Sequence, residues 1–109
     1  ISYYDNYESF YHGFMIGFLK ADGYEVKSNR ESGKGRFDIE LIPARKTKTC
    51  IIIECKHSFH EDDLIEDSQK GAKQIETNDY LKSFERKGYR QVLGYGISFY
   101  KKQCYITKV

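Results

Sequence analysis

Asp38, Glu54 and Lys56 are the residues of this chain whose types and spacing can do chemistry. They lie in the stretch RFDIELIPARKTKTCIIIECK, residues 36–56, where two short apolar runs flank a basic, polar connection that begins at Pro43. Strand side chains alternate between faces. Phe37, Ile39 and Leu41 therefore share one face of the first run, and Arg36, Asp38 and Glu40 the other. In the second run Ile51, Ile53 and Cys55 fall on one face, and Ile52, Glu54 and Lys56 on the opposite one. Pairing the apolar faces sets Asp38 beside Glu54. Two adjacent carboxylates repel unless a cation sits between them, and oxygen-only donors suit Mg²⁺ or Mn²⁺. Lys56 projects into the same space and can face an anion near such a cation. The plain alternative is a solvated strand face with a cross-strand Glu–Lys pair, worth up to about 1 kcal/mol.

The elements that must position these residues follow from periodicity. Residues 4–21 read as a helix with Tyr7, Phe10, Tyr11, Phe14 and Phe18 on one face, stopped at Asp22-Gly23. Glu8 falls at the margin of that apolar arc. It is either an acid favoured near a helix N-terminus, worth about 0.3–1 kcal/mol, or a carboxylate aimed at Asp38 and Glu54. In the second reading the helix packs so that Glu8 meets Lys56 or lies within one water of Asp38; His12, one turn on, is another partner. Residues 24–29 read as a strand, and the turn-rich SNRESGKG (28–35) leads back into Arg36. Gly33-Lys34-Gly35 lacks the spacing of a phosphate loop. His57 and His60 fall on an expected loop and give only a weak metal signal. Glu61–Asp63 crowds the start of a helix whose inner face is Leu64, Ile65, Ser68, Ala72 and Ile75, with Gln74 off that face. Residues 80–87 are helical and closed by Gly88, residues 90–99 form a central strand, and residues 103–107 an edge strand.

With 109 residues, 31% charged and 39% hydrophobic, the chain reads as one soluble globular domain. No apolar run approaches the ~20 residues of a membrane span. ISYYDNYESF lacks the cationic start of a signal peptide, and the three cysteines, Cys50, Cys55 and Cys104, show no CxxC spacing, are odd in number and lie in apolar strand-like runs. Reduced thiols and a cytoplasmic location are expected. The chain starts at Ile1 without an initiator Met, so it is expected to be a piece of a longer protein. The net charge of +2 is too small to identify a partner, but the bases are clustered. Arg36, the Arg45–Lys48 tip, Lys70 and Lys73 are expected to line the approach to Asp38 and Glu54.

The order helix, three strands, helix, strand, strand implies an antiparallel unit followed by a crossover to a fourth strand parallel to the third. The fold class expected is α/β with a restriction-endonuclease-like core, α-β-β-β-α-β(-β), a mixed sheet flanked by helices. The pattern Asp38, gap, Glu54-x-Lys56 resembles the signature of the PD-(D/E)xK nuclease superfamily. The segments SYYDNYESFYHGFMIGFL, SNRESGKGRFDIEL, IIIECK and AKQIETNDY followed by GYGISF resemble the domain of that superfamily found C-terminal to AAA-ATPase-like domains in bacterial proteins. The resemblance spans nearly the whole of residues 1–109. Phe37 stands where the signature has Pro. The spacing of Gln74 and Tyr80 departs from the Gln-x-x-x-Tyr of recombination-type exonucleases.

The resemblance implies a metal-dependent nuclease acting on DNA, with an N-terminal ATPase-like domain as covalent neighbour. Asp38, Glu54, the Cys55 main-chain carbonyl and Glu8 would hold Mg²⁺ or Mn²⁺, and Lys56 would serve the attacking water or the developing charge. Gln74, Arg36, Lys73 and Tyr80 would bind substrate. Lys56→Ala is then expected to abolish cleavage while sparing the fold. The rival reading is a non-catalytic nucleic-acid-binding or interaction module of a larger ATPase.

Overall fold

The alternation on either side of Pro43 folds as a hairpin at the centre of the molecule. The computed structural model describes residues 11–17, 19–20, 23–31 and 35–109. Residues 11–17 are helical (α1) and are followed by β1 (Tyr24–Glu31), β2 (Arg36–Pro43) and β3 (Thr49–His57). A 3-10 turn (Glu61–Asp63) leads into α2 (Leu64–Thr77) and α3 (Tyr80–Arg86), and β4 (Gln91–Tyr100) and β5 (Gln103–Lys108) complete the chain. Among the described residues one five-stranded sheet holds the strands in chain order, β1-β2-β3-β4-β5. The β1–β2, β2–β3 and β4–β5 pairs are antiparallel, and β3–β4 is parallel, joined through the helical crossover. This is the mixed α/β fold expected from the sequence.

Two cores cover the two faces. Tyr11 and Met15 of α1 pack with Phe37, Ile39, Leu41, Ile53, Cys55, Ile97 and Phe99 on one face. Ile75 of α2 and Phe84 of α3 pack with Cys50 and Ile52 on the other. Covering both faces leaves β3 with almost no polar edge, which is why it reads as a run of isoleucines.

The contact of α2 with the sheet depends on two glycines. A Cβ on Gly96 would collide with the Ser68 carbonyl oxygen and sit 2.5 Å from the Ala72 amide nitrogen. One on Gly71 would sit 3.1 Å from the Glu54 carbonyl oxygen. Hydrogen at Gly96 lets the helix backbone rest on β4, and at Gly71 it keeps the close approach to β3 unstrained.

Several details differ from the sequence reading. Phe14 is 56% exposed, and Met15 takes the inward position with Tyr11. Aromatic residues recur on more than one stripe of this segment, so spacing alone did not select the buried one; Tyr7, Phe10 and Phe18 lie outside the described residues. On α2 the buried set is Leu64, Asp67, Ser68, Gly71, Ala72 and Ile75, while Ile65 is exposed. Strand β1 continues to Glu31, and His57 is the buried last residue of β3 rather than a loop residue. Cys50 and Cys55 are buried and Cys104 is exposed, all three as free thiols. Among the described residues no helix is long and apolar enough to cross a membrane.

Candidate functional site

In the β2–β3 register Asp38 stands directly opposite Glu54, and Arg36 directly opposite Lys56. Alternation puts all four on the sheet face covered by α2 and α3. Asp38 is half-buried and Glu54 buried. The Cys55 thiol points the other way, into the α1-side core, where burial and then the charges of Glu54 and Asp38 push its pKa well up. Only its main chain adjoins the carboxylates. Phe37 belongs to the same opposite core, with His12 edge-on at 5.3 Å.

Helix α2 lies over this face along the stripe Asp67, Gly71, Gln74, an i, i+4, i+7 spacing. Gly71 touches the Glu54 backbone. On one side of it Asp67 Oδ1 takes Lys56 Nζ at 3.2 Å, while Ser58 Oγ donates to Asp67 Oδ2 at 2.6 Å. On the other, Arg36 Nη1 donates to Gln74 Oε1 at 3.4 Å. Two cations directly opposite each other repel; here each is drawn to an acceptor on α2. Asp67 was missed by the sequence reading, which assigned Glu61–Asp63 to the helix start and gave Asp67 no role. Its place in the arc of Leu64, Ser68, Gly71, Ala72 and Ile75 was the available signal. Gln74 was read as an ordinary exposed residue, yet it is half-buried and reaches Arg36.

Asp79, in the left-handed region at φ 57°, turns the chain between α2 and α3 and is followed by Tyr80. Tyr80 lines a cleft of about 80 Å³ with Asn29, Asp38, Glu40 and Ile52. Burial, then Asp38 and Glu54, raises the Tyr80 pKa, so its hydroxyl stays protonated beside the carboxylates. Glu40, two residues after Asp38 on the same face, is a third acid here. Burial and then Asp38 raise its pKa, against Lys27 and Lys87, which lower it.

Other expected site residues fall elsewhere. Glu8 lies outside the described residues, and the described part of α1 sits on the face opposite Asp38 and Glu54. Lys70 and Lys73 are exposed on α2, Lys70 within 3.2 Å of Glu66. The Arg45–Lys48 tip is at the far end of β2 and β3 from Arg36 and Lys56, against the residues that follow α3.

The donor set fits a hard divalent cation. Two carboxylates side by side match an ion bound through one or two acids that keeps most of its waters. Among the described residues no three His, Cys, Asp or Glu side chains are grouped to cage a metal alone. Water, substrate oxygen or the Cys55 carbonyl would complete such a site.

A mixed sheet presenting paired carboxylates and a lysine from one hairpin, under a crossover helix, defines a restriction-endonuclease-like α/β domain. The family model described as PD-(D/E)XK nuclease superfamily matches residues 6–109, and the chain belongs to that superfamily. Its members act on nucleic acid and generally use divalent metals. No curated protein and no solved structure gives a match.

Proposed function

We propose that the chain is a metal-dependent phosphodiesterase that hydrolyses DNA. The observation that carries this is the direct pairing of Asp38 with Glu54, with Lys56 on the same face. Asp38, Glu54 and the Cys55 main-chain carbonyl would hold Mg²⁺ or Mn²⁺, and Glu8 is proposed as a further ligand. A cation held there would supply a more acidic water and charge neutralisation at the scissile phosphate. Lys56, held by Asp67, orients that water or stabilises the developing negative charge. Arg36, steadied by Gln74, takes a phosphate oxygen. Tyr80 offers a neutral hydroxyl at the edge of the Asp38 cleft, and Lys73 is placed on α2 for the backbone further out. We further propose a covalent ATPase-like neighbour and a cytoplasmic location.

The test is incubation of the purified protein with Mg²⁺ or Mn²⁺ and linear, circular or single-stranded DNA. Cleavage that Asp38→Asn removes, with the fold retained, supports the proposal. Intact DNA of all three forms refutes it. Calorimetry separates the non-catalytic reading, which requires metal indifference and salt-sensitive DNA binding.

A further inference from the structure

A strongly basic surface of the described chain lies away from the paired carboxylates. Segments 44–48 (ARKTK) and 86–90 (RKGYR) hold six cations in ten residues and no acid, in a chain whose net charge is only +2. The fold fuses them. The Arg90 amide donates to the Lys46 carbonyl at 2.8 Å, and Lys46 Nζ donates to the Lys87 carbonyl at 2.6 Å. The tip itself is closed by the Lys48 amide on the Arg45 carbonyl at 3.0 Å. Lys46 lies over the Tyr89 ring and Lys87 over Phe84, which holds their stems against apolar surface. All six cations are exposed. Like charges held together by backbone bonds form a fixed basic surface rather than scattered solvated side chains, and such a surface suits a polyanion.

This surface is in line with the carboxylates. Helix α3 starts at Tyr80, beside Asp38, and ends next to Lys87, whose charge is felt at Glu40 and Cys50. Strand β2 runs the same way from Asp38 to Pro43, a span of ~17 Å at ~3.4 Å per residue. That is about five base pairs of duplex at ~3.4 Å each. We infer that this basic end is a second anchor for the DNA backbone, gripping the duplex about half a helical turn from the phosphate at Asp38 and Glu54. The inference rests on the nucleic-acid reading above but not on cleavage.

The test is the salt dependence of binding of a fluorescein-labelled 20-base-pair duplex in EDTA, by anisotropy. The variant is Arg45→Gln/Lys48→Gln/Arg86→Gln, which spares Lys46 because it ties the two segments together. The control is Lys101→Gln/Lys102→Gln in the β4–β5 turn. Each lost phosphate contact removes about 0.9 from the slope of log K against log salt. The triple variant should flatten the slope by about 2 to 3, and the control should leave it unchanged. Thermal melts of both variants verify folding. An unchanged slope in the folded triple variant, an equal change in the control, or no binding by the wild type overturns the inference. Cleavage in Mg²⁺ is read separately. A slope that depends on the basic end without any cleavage keeps the anchor and refutes the phosphodiesterase; cleavage with an indifferent slope does the reverse.

Discussion

Replacing Lys56 by Met leaves Asp67 as a carboxylate in the α2–β3 interface without its cation. The Asp67 side chain is 8% exposed and that of Lys56 27%, so the pair lies between two limits. Removing one partner of a fully buried pair costs about 3–5 kcal/mol, whereas an exposed pair contributes about 0–1 kcal/mol. Ser58 still donates to Asp67 Oδ2, which compensates part of the loss. The expected cost is about 2 kcal/mol, close to a 10 °C fall in Tm for a domain of this size. Urea denaturation at pH 7 without metal measures it. The double variant Lys56→Met/Asp67→Asn should recover about 1–2 kcal/mol of this, since Asn still accepts from Ser58 and needs no cation. A Lys56→Met protein as stable as wild type, or strictly additive costs in the double variant, would refute the reasoning. The Lys56–Asp67 contact thus gives Lys56 a packing role, and Lys56→Ala is expected to cost stability rather than to spare the fold. Asp38→Asn is the cleaner variant for testing the proposed cleavage.

Asp38→Asn removes one of two facing carboxylates and should lose the rise in Tm that Mg²⁺ or Mn²⁺ is expected to give the wild type, as read by differential scanning fluorimetry. Glu40 has a raised folded-state pKa, so its proton is held more tightly in the native state. Its cost is absent below the ordinary carboxylate pKa near ~4.3 and grows as pH rises through the higher folded value. Glu40→Gln should therefore raise Tm at pH 7 and leave it unchanged near pH 4; the opposite pattern in a pH series of melts would sink this assignment. Gly96→Ala drives a methyl group into the α2 backbone and should cost about 3 kcal/mol or more, with loss of the native near-ultraviolet circular dichroism at 37 °C. Normal melting of that variant would mean that α2 sits further from the sheet.

The hairpin was legible because both of its strands alternate cleanly. Matching the apolar faces of Phe37-Ile39-Leu41 and Ile51-Ile53-Cys55 left a register that put Asp38 opposite Glu54. The parallel pairing of β3 with β4 followed from a helix lying between them. What stayed hidden depends on contacts between distant segments. Asp67 carries the same charge as Glu61, Asp62, Asp63 and Glu66, and only the burial of the helix separates its task from theirs. Gln74 looked exposed because its partner, Arg36, is on a strand 38 residues earlier. Gly71 and Gly96 gave no signal singly; their meaning lies in the helix–sheet distance. The basic tip was placed beside the carboxylates because charge suggested it, yet a strand the length of β2 carries it to the opposite end of the sheet.

The carboxylate pair belongs to a single hairpin, while Asp67 and Gln74 arrive with the crossover helix. Closing the hairpin is a local event; seating α2 against Gly96 joins segments far apart in sequence, and such contacts form later and more slowly. The repulsion between Asp38 and Glu54 is thus met early in folding, before the helix covers them. A divalent ion that screens it should lower the barrier as well as deepen the native minimum. Stopped-flow refolding is expected to run faster in Mg²⁺ than in EDTA, and the difference should vanish in Asp38→Asn.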